Sequence, residues 1–205
     1  MPRFRLLTAL AAALVLASCA SARRVGPSSE AGLEQYRQRA EQLRAVDTWH
    51  LSGRLSVDDG EEGGSGTLQW QIAPGAQELS FRGALGRGAW QIHAQPGRAV
   101  LGFAAGRVVE AETVEELVYA ELGWGVPVQA LRWWVVGLAD HGPHEALRVD
   151  DNGDLVELDQ HNWQVSFDRY REFDGHRLPG RIEAKQGARR VKLALAKWTA
   201  GADGS

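Results

Sequence analysis

Few residues in this chain belong to the types that do covalent or metal chemistry, and their spacing limits what each can do. The one cysteine, Cys19, has no partner for an internal disulfide. His141 and His144 bracket a Gly-Pro pair in "HGPH". A turn with two imidazoles and no clear third ligand reads as a solvated loop rather than a zinc site. His50 and His93 alternate with apolar neighbours, which puts them on the wet face of strands. The acidic pairs Glu61-Glu62 and Glu115-Glu116 are adjacent, the first in a turn and the second on a helix surface. Neither closes two carboxylates around one glycosidic bond. No G-x-x-x-x-G-K-[ST] phosphate loop and no G-x-S-x-G nucleophile turn occurs. The net charge of −3 comes without a basic block, so nucleic acid is not an expected partner. These residue types predict no enzyme, no metal and no cofactor.

What Cys19 can do depends on what precedes it. Arg3 and Arg5 lead into an apolar run over residues 6–17, too short to span a membrane and of the kind found in secretory signals. Leu16-Ala17-Ser18-Cys19 resembles the bacterial lipobox. That implies removal of residues 1–18 and acylation of both the Cys19 thiol and its new amino group. The alternative is an ordinary signal peptide with a chance cysteine. Three acyl chains anchor a protein far more firmly than a single myristoyl group. Ala20 stands where an aspartate commonly retains Gram-negative lipoproteins in the inner membrane, so the expected location is the outer membrane, facing the periplasm. Loss of residues 1–18 removes two arginines and takes the charge from −3 to −5. Residues 19–29 then read as lipidated N-terminus and tether, residues 30–200 as a single domain, and 201–205 as a tail.

The elements behind these residues follow from periodicity. Leu33, Tyr36, Ala40 and Leu43 space a helix over residues 30–46. From Thr48 the period switches to two. Alternating runs at 49–57, 68–72, 79–81, 90–92, 99–103, 107–109, 147–149, 155–158, 163–167, 181–185 and 191–198 are parted by turn residues. Eleven strands of this grammar predict a mainly β fold, an antiparallel meander that closes into a barrel or curls around something. The pattern breaks in the middle. "TVEELVYAELG" has a Thr-x-x-Glu capping box and a terminal Gly123, and "VPVQALRWWVVG" places Pro127 near a helix start. Polar residues fall on the outer face of the alternation. Trp49, Trp70, Phe81, Trp90, Phe103, Trp163, Phe167 and Trp198 share the apolar face, where a packed core and a partly empty cavity under a helical lid both fit. Composition does not choose between them.

Several strings resemble one family when taken together: "GRLSV", "GSGTLQW", "ALGRGAWQIHAQPG", "LGWGVPVQALRWWVVG", "GDLVELDQHNWQVSFDRY", "LPGRIE" and "VKLALAKW". In this order, behind a lipobox, they are similar to the LolB outer-membrane lipoprotein receptors. The resemblance implies an unclosed antiparallel β-barrel with an N-terminal helix and a central helical lid over an apolar cavity. It implies a monomer that takes triacylated lipoprotein cargo from the soluble periplasmic carrier LolA and inserts it into the inner leaflet of the outer membrane. The cavity is expected to be lined by Trp49, Leu51, Leu55, Trp70, Ile72, Leu79, Phe81, Trp90, Ile92, Leu101, Phe103, Leu117, Leu131, Trp134, Trp163, Val165 and Phe167. The family's protruding loop with a leucine at its tip matches Gly83, Ala84, Leu85 and Gly86, as a membrane-insertion loop. Ala84 departs from the proline common there and leaves the loop less fixed in φ. The rival expectation for Leu85 is a contact folded back onto the sheet. The rival for the whole chain is a structural or envelope-assembly lipoprotein with a packed core and no lipid transfer.

Overall fold

The computed structural model describes residues 27–61, 63–83 and 88–201. The signal, Cys19, the loop residues Ala84, Leu85 and Gly86, and residues 202–205 lie outside the described residues. Helix α1 (Glu30–Arg44) is followed by β1 (Trp49–Asp58), β2 (Gly63–Ala73), β3 (Ala76–Gly83), β4 (Trp90–Gln95), β5 (Arg98–Phe103) and β6 (Val108–Ala111). Helices α2 (Val114–Leu122) and α3 (Val128–Trp134) come next. The chain returns to strands with β7 (Ala146–Val149), β8 (Leu155–Gln160), β9 (Trp163–Asp168), β10 (Arg171–Phe173), β11 (His176–Leu178), β12 (Arg181–Gln186) and β13 (Arg189–Ala200).

Eleven strands form one antiparallel sheet in the order β6-β5-β4-β3-β2-β1-β13-β12-β9-β8-β7. These are the eleven alternating runs of the sequence, and β6 and β7 remain unpaired edges, so the barrel is not closed. Strand β1 pairs along its whole length with β2 on one side and β13 on the other, with a register shift at Ser52/Gly53. A bulge of this kind bends a strand and increases its twist. The β8–β9 hairpin turns on His161 and Asn162, both with positive φ (54° and 62°), as a two-residue type I′ turn requires.

Two elements differ from expectation. Helix α1 stops at Arg44, two residues short of the predicted end. A separate hairpin, β10–β11, was not anticipated, although Asp174-Gly175 is a strong turn signal with φ of 49° and 73°. Its strands are three residues each and bury only Phe173 and Leu178, too few positions for alternation to register.

Helix α1 caps the β7 side of the molecule. Ser29 accepts a hydrogen bond from the Gly32 N–H (3.1 Å) as its N-cap, and Ser28 Oγ accepts from the Val149 N–H of β7 (2.9 Å). Part of the predicted tether, Ser28 and Ser29, is thus built into the domain. Arg39 of α1 and Arg177 of β11 both grip Asp154, which is 2% exposed, at 2.9 and 2.7 Å. A carboxylate so deeply placed is tolerated because both cations reach it. Asp154→Ala leaves Arg39 without its anion; urea denaturation should show a loss on the order of 3 kcal/mol.

Candidate functional site

A sheet with an apolar inner face and unjoined edges must be covered by something else. Here the chain crosses from edge β6 to edge β7 through α2 and α3, and this crossing is the cover. The sequence folds α2 locally. Thr113 Oγ1 accepts from the Glu116 N–H (3.2 Å) at one end, and Gly123, at φ 70°, closes the other, with its N–H bonded to Tyr119 O (3.1 Å) and the Trp124 N–H to Val118 O (3.1 Å). Glu115 Oε1 accepts from the Gln129 N–H (2.8 Å), tying α2 to the first turn of α3.

All of the residues expected to line a cavity belong to one apolar cluster under this cover. All but Phe103 and Leu131, which are half-buried, are buried. Space wide enough for an acyl chain would leave free surface on its walls, and four of these residues, Leu51, Ile92, Leu101 and Trp134, are 0% exposed and border none. Close packing explains this, because an empty apolar cavity forfeits contact energy in proportion to its volume.

The two ends of the cover are held by different forces. At the α3 end, Gln160 on β8 is fully buried, which corrects the expectation that polar residues of the strands all face out. Its Oε1 accepts from Trp134 Nε1–H (3.1 Å) and from the Asp140 N–H (2.9 Å). Its Nε2 donates to the carbonyls of Gly142 (3.0 Å), Asp140 (3.2 Å) and Pro143 (3.3 Å). Tyr36 of α1 adds its hydroxyl as acceptor for the Ala139 N–H (3.0 Å), and burial raises the pKa of that phenol. Every polar atom of Gln160 is thus consumed in holding the segment after α3.

At the opposite end, after α2, the contact is mostly between rings. Trp124 stands edge-on to Phe81 (5.8 Å between centroids) and to Trp90 (6.1 Å), which are themselves stacked at 5.4 Å. Gly66 makes this possible, since a Cβ there would come within 2.6 Å of the Phe81 ring. An exposed ion pair, Arg107–Glu121 (2.6 Å), also ties this end. Phe81 and Trp90 flank the connection that contains Leu85; Gly83, the last residue of β3, is the one member of the predicted loop that is described.

Between the cover and the β2–β3 and β4–β5 turns lies a depression of about 240 Å³, lined by Ala73, Gln77, Ala94, Val114, Gln129 and Arg132 among others. Arg132 is half-buried over the Trp133 ring (5.2 Å), its Nε has no hydrogen-bond partner, and burial lowers its pKa. A partly desolvated guanidinium whose Nε has no hydrogen-bond partner among the described residues is a site feature that sequence reading missed. So was Trp124 as a closing residue. Neither has a periodicity signal, because both belong to the cover rather than the sheet.

The remaining chemical suspects are occupied structurally. His141 packs edge-on against Trp133 (4.8 Å), with Arg44 Nη1 2.8 Å from its Nε2. His93 is exposed beside Glu78 (3.5 Å). Among the described residues no group of three or more His, Cys, Asp or Glu could hold a metal, and no helix is long and apolar enough to cross a membrane.

The structure is an unclosed antiparallel half-barrel with an apolar interior and a helical cover. The fold is shared with the crystal structure of a putative outer membrane lipoprotein-sorting protein domain from Vibrio parahaemolyticus (TM-score 0.50, 10% identity, covering 85% of this chain and 95% of that one). It is also shared with a DUF1329 family protein from Desulfovibrio piger (TM-score 0.52, 9% identity, 88% and 96%). The sequence goes further than the fold. The model of the family described as "Outer membrane lipoprotein LolB" matches residues 47–198. The outer-membrane lipoprotein LolB of Stutzerimonas stutzeri is 34% identical over 190 residues, 91% of either chain. That of Pseudomonas aeruginosa is 32% identical over 202 residues, 96% of either. This chain belongs to the LolB family. It is an outer-membrane lipoprotein of the lipoprotein-localisation system, lipid-anchored in that membrane.

Gln160→Leu removes five hydrogen bonds and strands Trp134 Nε1–H and the Asp140 N–H in an apolar setting. Each stranded donor costs about 1–3 kcal/mol. Hydrogen–deuterium exchange over residues 134–142 should accelerate by at least tenfold while β1 and β13 stay protected.

Proposed function

We propose that this protein receives acylated lipoproteins from the periplasmic carrier LolA, holds their acyl chains against the inner face of the sheet, and passes them to the inner leaflet of the outer membrane. A sixteen-carbon chain at ~0.8 kcal/mol per CH₂ costs on the order of 10 kcal/mol to expose to water, so each step of the route needs a shielding apolar surface. Family membership and the apolar interior support this reading. The observation that bears most on it is the asymmetric flap: directional hydrogen bonds at Gln160, and non-directional ring contact at Trp124. The flap hinges at the first and lifts at the second. With no nucleotide motif in the chain, transfer runs downhill from carrier to cavity to bilayer. Cys19 is the lipidation site, residues 30–200 are the working domain, and Arg132 at the rim of the flap is placed to meet the polar carbonyls where acyl chains join the cargo. Leu85 is the residue that enters the bilayer.

The rival reading, a structural lipoprotein with a permanently packed core, draws on the same buried residues. The two part at Trp124→Ala. If the closed flap competes with ligand, removing the ring raises the population of the open form. Affinity for a fluorescent acyl probe should then increase about three- to tenfold, even as the melting temperature falls. A packed core predicts lower stability and no probe binding in either form; that result sinks the receptor reading. Leu85→Glu should leave acceptance of cargo by the Cys19→Ala form intact, as read by native mass spectrometry, and abolish its delivery to liposomes. Undiminished delivery would remove the loop from the mechanism.

A further inference from the structure

The outer face of the sheet gathers charge that the sequence spreads thinly. The chain has three lysines, Lys185, Lys192 and Lys197, and all three lie on β12 and β13. They point outward, because Ile182, Ala184, Val191, Leu193 and Trp198 beside them fill the interior. Cross-strand register adds arginines. Arg54 of β1 and Arg181 of β12 flank Ala194, and the same row continues through Thr67 to Arg82 on β3. In the neighbouring rows Lys192 faces Glu183, and Arg190 faces Lys185.

Four of these cations converge on one carboxylate. Glu183 has Lys185 at 3.3 Å, Arg190 at 3.4 Å, Arg181 at 3.5 Å and Lys192 at 3.8 Å. Burial opposes ionisation of Glu183, but the ammonium of Lys185, with Lys192 and Arg190, overrides it and holds the carboxyl below its usual range. One anion organises the ring. Other acids share the face: Asp58 opposite Arg190, Asp168 opposite Arg181, and Glu157 and Asp159 of β8 in the rows of Glu183 and Lys185. The cations still outnumber them, on a chain whose net charge is −3. Like charges held this close repel, and a face that only needed solvent would have no cause to gather them.

We infer that this face rests on the anionic headgroups of the bilayer that holds the lipid anchor. Cations at such a surface each add attraction, and together they complement a plane of phosphates. The anchor can reach. Ser28 is fixed to β7, and the nine residues from Cys19 to Pro27 span at most ~30 Å. β7 and β13 are four strand spacings apart in the sheet, or ~19 Å. The face also borders Gly83, since Arg82 precedes it. The flap lies on the opposite side of the sheet and stays open to the periplasm. The inference uses the outer-membrane location alone and stands whether or not the interior takes acyl chains.

The test is flotation of the chain from residue 19 onward, carrying Cys19→Ala, with vesicles of phosphatidylcholine or of equimolar phosphatidylcholine and phosphatidylglycerol. Binding should require phosphatidylglycerol and vanish in raised salt. The variant Lys185→Gln/Arg190→Gln/Lys192→Gln/Lys197→Gln should bind at least tenfold more weakly, each lost charge being worth up to ~5-fold. Arg37→Gln, which removes an exposed cation from α1, should bind as the parent does. Melting curves of all forms establish that the variants are folded. Equal flotation with both vesicle types, or full binding by the fourfold variant, overturns the inference. So does loss of carrier binding with vesicle binding unchanged, because the face would then be a protein contact.

Discussion

The sheet has an apolar inner face that it cannot cover by itself. Eleven strands curl far enough to face inward but stop with β6 and β7 unjoined. The covering must come from the stretch that links those edges. That stretch is tied to the sheet at its ends and supplies its own apolar stripe, with Val114, Leu117 and Val118 from α2 and Val128, Ala130 and Trp134 from α3. A closed barrel would have hidden the same surface permanently. Leaving the ring incomplete gives the molecule a core that a short segment completes.

The balance of forces on that segment follows from its two attachments. Hydrogen bonds to a buried amide are short-ranged and directional, so the Gln160 end has one geometry or none. Ring-on-ring contact falls off gradually and is satisfied by other hydrocarbon as well as by Phe81 and Trp90. An aliphatic chain entering beside Trp124 therefore replaces a contact of its own kind. No such replacement exists at Gln160, where a lipid offers nothing to five hydrogen bonds. In the proposed transfer, exchange of like for like would keep the difference between open and closed forms small enough to need no energy source.

The sheet and its register were readable from residue types because alternation acts at every position of a strand. All eleven runs became strands of one sheet, and the capped helix at 113–123 formed as its Thr-x-x-Glu and Gly123 indicated. What stayed hidden depends on distant pairing. Gln160 sits at the last position of a strand, where either face is open to it, and only Trp134 and the loop at 140–143 reveal why it turns inward. Trp124 read as part of a family string, not as a ring clamped on two others. The basic face was invisible for the same reason: Arg54, Arg82, Arg181 and Lys192 are far apart in the chain and meet only through β1, β3, β12 and β13. The packing of the interior also escaped pattern reading, because an apolar stripe looks the same whether it bounds a hollow or a solid.

Confinement of every lysine to one side of the sheet has a practical corollary. Amine-directed reagents see this molecule from behind. Coupling it to an activated support through primary amines would lay the outer surface down and leave α2 and α3 turned toward solvent, in one orientation. Chemical cross-linking with the same chemistry would capture neighbours of β12 and β13 and be blind to whatever approaches the helices, so carboxyl-directed reagents are needed to map that other half.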